Sequence, residues 1–232
     1  MRTPTAASTP RARSTRCGAR TSPRSRQWTP TSHPRGVTQE RPALPDTLGG
    51  AGRSCIRFAV YAGARRVDRM EPLKAQGIRV LPLDVTDDGS MQSLLITVLR
   101  EQGRIDVLVN NAGFGSFGAL EEMELAEGRR QFDVNAFGMA RMTQLVLPSM
   151  RTAGRGRIIN ISSIGGKFYE PLGTWYHASK FAVEGLSDAL RLELKPHGIS
   201  VSIIEPASTV TEWGGIAAEG LLASSGGGPY AA

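Results

Sequence analysis

The chain has 232 residues and a formal charge of +7, a length that suits one α/β domain with a substantial core and leaves little room for two. Nine arginines (Arg2, Arg11, Arg13, Arg16, Arg20, Arg24, Arg26, Arg35 and Arg41) against the single acid Glu40 place +8 in residues 1–41 and −1 in the remainder. The folded part therefore offers no basic face, and no specific nucleic-acid partner is expected. No apolar run reaches the roughly 20 residues that span a bilayer, and Cys17 and Cys55 follow no disulfide or metal spacing. The expectation is a soluble, cytoplasmic protein without a metal site.

Residues 1–56 are rich in Arg, Pro, Ser and Thr, with Pro4, Pro10, Pro23, Pro30, Pro34, Pro42 and Pro45 spaced so that no useful helix fits between them. They are expected to be a disordered or mistranslated segment, read from a wrong frame or start. Residues 57–232 form the domain. From Phe58 onward, short β-branched runs alternate with longer amphipathic stretches, the βαβ rhythm of a parallel sheet. Buried strands are predicted at Phe58–Ala62, Ile78–Val85, Ile105–Asn110, Arg157–Ser162 and Ser200–Glu205. Asp87 and Asp88 can cap a helix through Met91, Leu95 and Val98 that Gly103 stops. Longer helices are predicted over Leu125–Met150 and Thr174–Leu194, the second closed by Pro196 and Gly198. Such a chain winds into a Rossmann-type doubly wound α/β sheet with its ligand site at the carboxyl ends of the strands.

Tyr176 and Lys180 lie four apart near the start of a predicted helix, so both side chains project from one face. Holding a tyrosine of pKa about 10 as phenolate at neutral pH costs about 4 kcal/mol, and a nearby ammonium favours the ionised form. Taken alone, the pair is more often an ordinary helix face. It is accompanied by Ser163 just past one strand, by Asn110-Asn111-Ala112-Gly113 at the end of another, and by Asn135 in the helix between. Singly, Ser163 reads as a strand-end cap and Asn135 as a helix kink or a polar core contact.

In order and spacing, these elements together with Tyr176-His177-Ala178-Ser179-Lys180 resemble the short-chain dehydrogenase/reductase family (SDR). The resemblance implies an NAD(P)-dependent oxidoreductase that interconverts an alcohol and a carbonyl by hydride transfer. Tyr176 would be the general acid/base, and Lys180 would lower its pKa and hold the nicotinamide ribose. Ser163 would stabilise charge on the reacting oxygen, and Asn135 would hold a water leading from Lys180 to solvent. Asp84 would contact adenine, with a helix cap as its bland alternative, while Asn111, Ala112 and Gly113 would pass beneath the adenine ribose and Thr211 would meet the carboxamide. The turn after the first strand carries Arg65 and Arg66 and no acid, which favours NADP over NAD. A hydrophobic steroid- or retinol-like alcohol or ketone, and a homodimer or homotetramer, follow by the same analogy.

Two departures bear on function. The family's first strand and its glycine-rich phosphate loop are not found; Gly49-Gly50-Ala51-Gly52 lies too close to the next strand for a crossover helix to fit. Ala207 stands where the family has glycine, and the Ser224–Gly228 run trails off where further helix and a last strand are usual. An incomplete sheet is therefore expected, split where its first strand would lie. The alternative reading is a non-catalytic scaffold unable to hold cofactor.

Overall fold

The computed structural model describes residues 58–207 and 212–231. The segment 1–56, with both cysteines and Gly49–Gly52, lies outside the described residues, as does Thr211. Strand β1 (Tyr61–Ala64) pairs in parallel with β2 (Arg79–Pro82), Tyr61 opposite Arg79 and Ala64 opposite Pro82. Between them, a 3-10 turn over Val67–Met70 leads into the short helix α1 (Glu71–Lys74), which has Pro72 in its first turn, where a missing N–H is no loss. Helix α2 (Asp88–Gln102) begins and ends where the sequence predicts. The Asp87 carboxylate accepts from the Gly89 amide at 2.9 Å, and Gly103, at φ +73°, supplies the left-handed turn that ends it.

Strand β3 (Val107–Asn110) is followed, after an irregular stretch, by the helix expected over 125–150. It is three joined pieces: α3 (Leu125–Phe132), a π-helical turn over Asp133–Gly138, and α4 (Met139–Thr152). Gly138 allows the wide turn to pass close to the end of the β2 limb, since a Cβ there would lie 2.7 Å from the Val85 carbonyl oxygen. Strand β4 (Gly156–Ile161) leads to α5 (Thr174–Leu194), a 3-10 turn over Lys195–His197, and β5 (Ile199–Ile204). Helix α6 (Glu212–Ser225) runs to the start of the Ser224–Gly228 stretch. Its last residue is docked, with the Ala119 amide donating to Ser225 Oγ at 2.9 Å.

Strand β4 pairs in parallel with β3 on one side and β5 on the other, while β1 and β2 form a separate sheet. Among the described residues the sheet is thus split between β1 and β3, as the sequence leads one to expect. One correction follows from the split. The first and third predicted strands are not fully buried: Phe58 is 65% exposed, Val60 47% and Val109 52%, because the facing edges of β1 and β3 border a common cavity. The closed part of the core lies under β4 and β5, where Val146, Met150, Ile158, Leu194, Ile199 and Val201 pack together. A buried polar chain crosses it. Asn110 Nδ2 donates to Asn160 Oδ1 at 2.9 Å and to Thr143 Oγ1 at 3.2 Å, and Asn160 Nδ2 donates to Ser187 Oγ at 2.9 Å. No helix among the described residues is long and apolar enough to cross a membrane.

Ile158 is fully buried, whereas Ile216 on α6 is 60% exposed. Ile158→Ala should lower the unfolding free energy by about 2–5 kcal/mol, and Ile216→Ala should change it by less than about 0.5 kcal/mol. Urea denaturation midpoints check both, and equal effects would place the core elsewhere.

Candidate active site

Strand β4 stops at Ile161, and the chain turns sharply after it. Ser163 Oγ accepts from the Gly165 amide at 3.0 Å, capping a 3-10 turn over Ile164–Gly166. The same side chain hydrogen-bonds Tyr176, which stands in the first turn of α5 and is 8% exposed. One turn further along, the buried Lys180 donates from Nζ to the Ile161 carbonyl at 3.1 Å, tying α5 to the end of β4. Gly113 approaches from the end of β3, where a Cβ would lie 3.3 Å from Asn135 Oδ1 and 3.6 Å from Lys180 Nζ. Ser163, Tyr176, Lys180 and Asn135 therefore converge at the carboxyl edge of β3 and β4.

Asn135 sits in the π-helical turn and is buried. Its Oδ1 accepts from the Phe114 amide at 3.0 Å, and its Nδ2 donates to the Phe114 carbonyl and to Ser179 Oγ, both at 2.9 Å. Both amide donors are therefore engaged within the protein. What the side chain does here is pin the 110–114 segment beside Lys180; π-helical turns recur at functional sites for this kind of re-aiming.

Burial governs the electrostatics. It pushes the Tyr176 hydroxyl above its ordinary pKa, with the Ser163 hydrogen bond pulling it part of the way back. Burial also lowers Lys180 to about 8, opposed by the Glu184 carboxylate one turn along α5. Desolvation is thus the largest influence on both groups. Glu184 is itself held by Lys167, at 2.8 Å, and Lys167 lies 3.5 Å from Glu205 beyond β5.

Six of the expected cofactor residues border the cavity between β1 and β3, of about 1150 Å³, which Tyr176 and Lys180 do not line. Arg65 and Arg66 border it from the end of β1, Asp84 from the end of the β2 limb, and Asn111, Ala112 and Gly113 from the end of β3. Asp84 caps a turn as well, its Oδ1 accepting from the Thr86 amide at 2.9 Å and hydroxyl at 2.7 Å. Those bonds, the backbone one first, hold its carboxyl below the usual range, with Arg65 adding to them. Gly113 connects the two regions, since it borders the cavity and also faces Lys180.

A match to the short chain dehydrogenase family runs over residues 49–219, beginning nine residues before Phe58. The chain belongs to that family. It is 50% identical over 129 residues to a 3-ketodihydrosphingosine reductase of Bacteroides thetaiotaomicron, covering 56% of this chain and 48% of the relative. Human retinol dehydrogenase 8 is 39% identical over 166 residues, covering 68% of this chain and 52% of the relative. The chain thus spans about half the length of these relatives. Among solved structures, an alcohol dehydrogenase from the archaeon Thermococcus sibiricus, complexed with 5-hydroxy-NADP, superposes with a TM-score of 0.62 at 30% identity over 68% of each chain. The relatives carry the names of a reductase and dehydrogenases, and what this chain shares with them is the family's parallel α/β sheet.

Sequence reasoning missed two side chains at the site. Phe117 packs on Tyr176 with ring centroids 5.3 Å apart, and the His177 ring lies 5.6 Å from that of Tyr176. Phe117 comes from an irregular stretch whose path no periodicity reveals, and His177 lies inside the recognised motif but signals nothing by spacing.

The lowered Lys180 pKa makes a stability prediction. Between pH about 8 and the unfolded value of about 10.4, the unfolded chain holds the Lys180 proton and the folded one does not, so this residue makes stability rise with pH. Lys180→Met should be more stable than the parent near pH 7 and should lose the rise between about pH 7 and about pH 9.5. Denaturation at the two pH values, below the range where Tyr176 titrates, measures it; parallel curves for the two proteins would refute it.

Proposed function

We propose that the protein is an NADP-dependent oxidoreductase that interconverts a hydrophobic alcohol and its carbonyl. The observation carrying this reading is the meeting of the Ser163 and Tyr176 hydroxyls beside Lys180 under an apolar rim. Phe117 lies on Tyr176, and Ile164, Phe168 and Tyr169 stand exposed on the adjoining loop. The names of two relatives, a ketodihydrosphingosine reductase and a retinol dehydrogenase, point to apolar substrates and agree with such a rim.

When bound, the cofactor gives or takes the hydride. In the reductive direction, Tyr176 donates its phenolic proton to the carbonyl oxygen, and Ser163 donates a hydrogen bond to the same oxygen as charge develops there. A phenol kept protonated by burial starts in the form this direction needs. Lys180, still largely an ammonium at neutral pH, stabilises the phenolate left behind and offers donors to a ribose. Asn111, Ala112 and Gly113 would lie along the adenosine side, with Asp84 beside the base and Thr211 meeting the carboxamide. Arg65 and Arg66 are exposed at the cavity mouth with no acid at the end of β1, which suits a 2′-phosphate rather than a free ribose hydroxyl.

Fluorescence titration with NADPH and NADH tests the cofactor reading. NADPH should bind more tightly, and the double change Arg65→Ala, Arg66→Ala should weaken NADPH by about tenfold or more while NADH changes little, because charge-assisted bonds contribute about 1.5–3 kcal/mol. A preference for NADH would overturn it. Turnover of long-chain ketones or retinal-like aldehydes should fall by about a hundredfold or more in Tyr176→Phe, and undiminished turnover would remove Tyr176 from the chemistry.

A further inference from the structure

The loop from Gly165 to Gly173 joins the Ser163 turn to α5, and a single side chain closes it across its width. His177 is 6% exposed, its Nδ1 lies 2.9 Å from the Gly165 carbonyl oxygen, and its Nε2 accepts from the Glu170 amide at 3.1 Å. A carbonyl can only accept and an amide can only donate, so Nδ1 carries the proton and Nε2 does not. The ring is therefore neutral, and both of its nitrogens are engaged by backbone. That removes it from any proton relay with its neighbour Tyr176.

The surroundings are built to hold this ring in place. Gly173 leaves room for it, since a Cβ there would lie 2.7 Å from Cδ2 and Nε2. Phe168 flanks it with ring centroids 6.0 Å apart. Just before α5, Leu172 adopts φ +64°, a region that favours glycine, and its carbonyl accepts from the Gly118 amide at 2.7 Å. A backbone in that conformation persists only where neighbouring contacts impose it. Phe168 and Tyr169, 38% and 81% exposed, lie on this loop between the Ser163 turn and α5.

We infer that His177 is a positioning residue: its neutral imidazole clamps the 165–173 loop to α5 and so fixes the apolar wall that an alcohol or ketone substrate meets. It acts on how tightly substrate is held, not on proton transfer. The substrate part rests on the proposed function; the clamp itself does not.

Two variants test it in the full chain, with His177→Ala as a third for reference. His177→Phe keeps an aromatic ring and removes both bonds, whereas His177→Gln retains a carbonyl that can accept from Glu170. Hydrogen exchange should speed up by about tenfold or more at the 166–172 amides in His177→Phe, with the later turns of α5 unchanged, and His177→Gln should restore part of the protection at Glu170. With NADPH and a long-chain ketone, KM should rise by about tenfold in His177→Phe while kcat and the NADPH Kd stay within about threefold. Unchanged loop exchange in both variants would overturn the clamp, and a fall in kcat at constant KM would overturn its part in holding substrate. If the parent protein shows no turnover, the proposed function fails, and the exchange result alone decides whether His177 holds the loop. Should His177→Phe not fold, His177→Gln carries the comparison, and protection at Glu170 equal to that of the alanine variant His177→Ala would overturn it.

Discussion

Two asparagine side chains, face to face inside a parallel sheet, set the position of everything at the active end of this molecule. Asn110 and Asn160 are direct partners in the β3–β4 register, and their amides are bonded at 2.9 Å with Asn160 fully buried. The remaining donors reach Thr143 on α4 and Ser187 on α5. A buried amide left without a partner costs about 1–3 kcal/mol, and a slip of one residue would turn each side chain to the opposite face. The network therefore selects one register and one placement for both helices. Ile161 and Gly113 then fall at the same edge of the sheet, and α5 brings Lys180 to the Ile161 carbonyl.

The site works against its own electrostatics. Removing water from the space between β4 and α5 penalises the charged forms of both Tyr176 and Lys180, so the free protein holds a tyrosine reluctant to ionise beside a lysine that parts with its proton more readily than usual. Only part of that penalty is offset. The Ile161 carbonyl and the Glu184 carboxylate favour the ammonium, and Glu184 is kept in position by Lys167, itself close to Glu205. A buried cation supported in this way is a common form of the trade between stability and activity.

Much of this was legible in the sequence because it is local. The Asp87 cap, the Gly103 stop, the span Thr174–Leu194 and its closure by Pro196 and Gly198 are written in residues whose conformational preferences are strong. The order of Asn111, Asn135, Ser163, Tyr176 and Lys180 was readable as a family pattern, and the structure brings those residues to one edge. What was not legible depends on three dimensions. A π-helical turn adds one residue inside a long amphipathic run and leaves no periodic trace, and α6 is built of small and apolar residues without alternation. The direction of the Tyr176 shift follows from burial, which spacing does not report. The sequence also posed false alternatives: Ser163 caps a turn and touches Tyr176, and Asn135 is a polar core contact that also shapes the site, whereas Asp84 is no helix cap, α2 being capped by Asp87, but closes a turn at Thr86 and borders the cavity.

The split in the sheet divides the candidate site residues unequally. Ser163, Tyr176, Lys180 and Asn135 all belong to the β3–β4–β5 part, whose core is closed and whose register is fixed by the asparagine network. Arg65, Arg66 and Asp84 belong to the β1–β2 part, which meets the cavity with exposed apolar edges. Parallel strands are ordinarily covered on both faces and flanked on both edges, and each Å² of apolar surface left in water forgoes about 25 cal/mol. Opening of β1 and β2 therefore costs less than opening of β4. Fluctuation in this protein falls first on the residues that would grip the adenosine end of a cofactor and last on those that would move a proton. On the proposed reading, the adenosine end of a cofactor meets the part of the sheet whose facing edges, β1 and β3, are not paired with each other among the described residues.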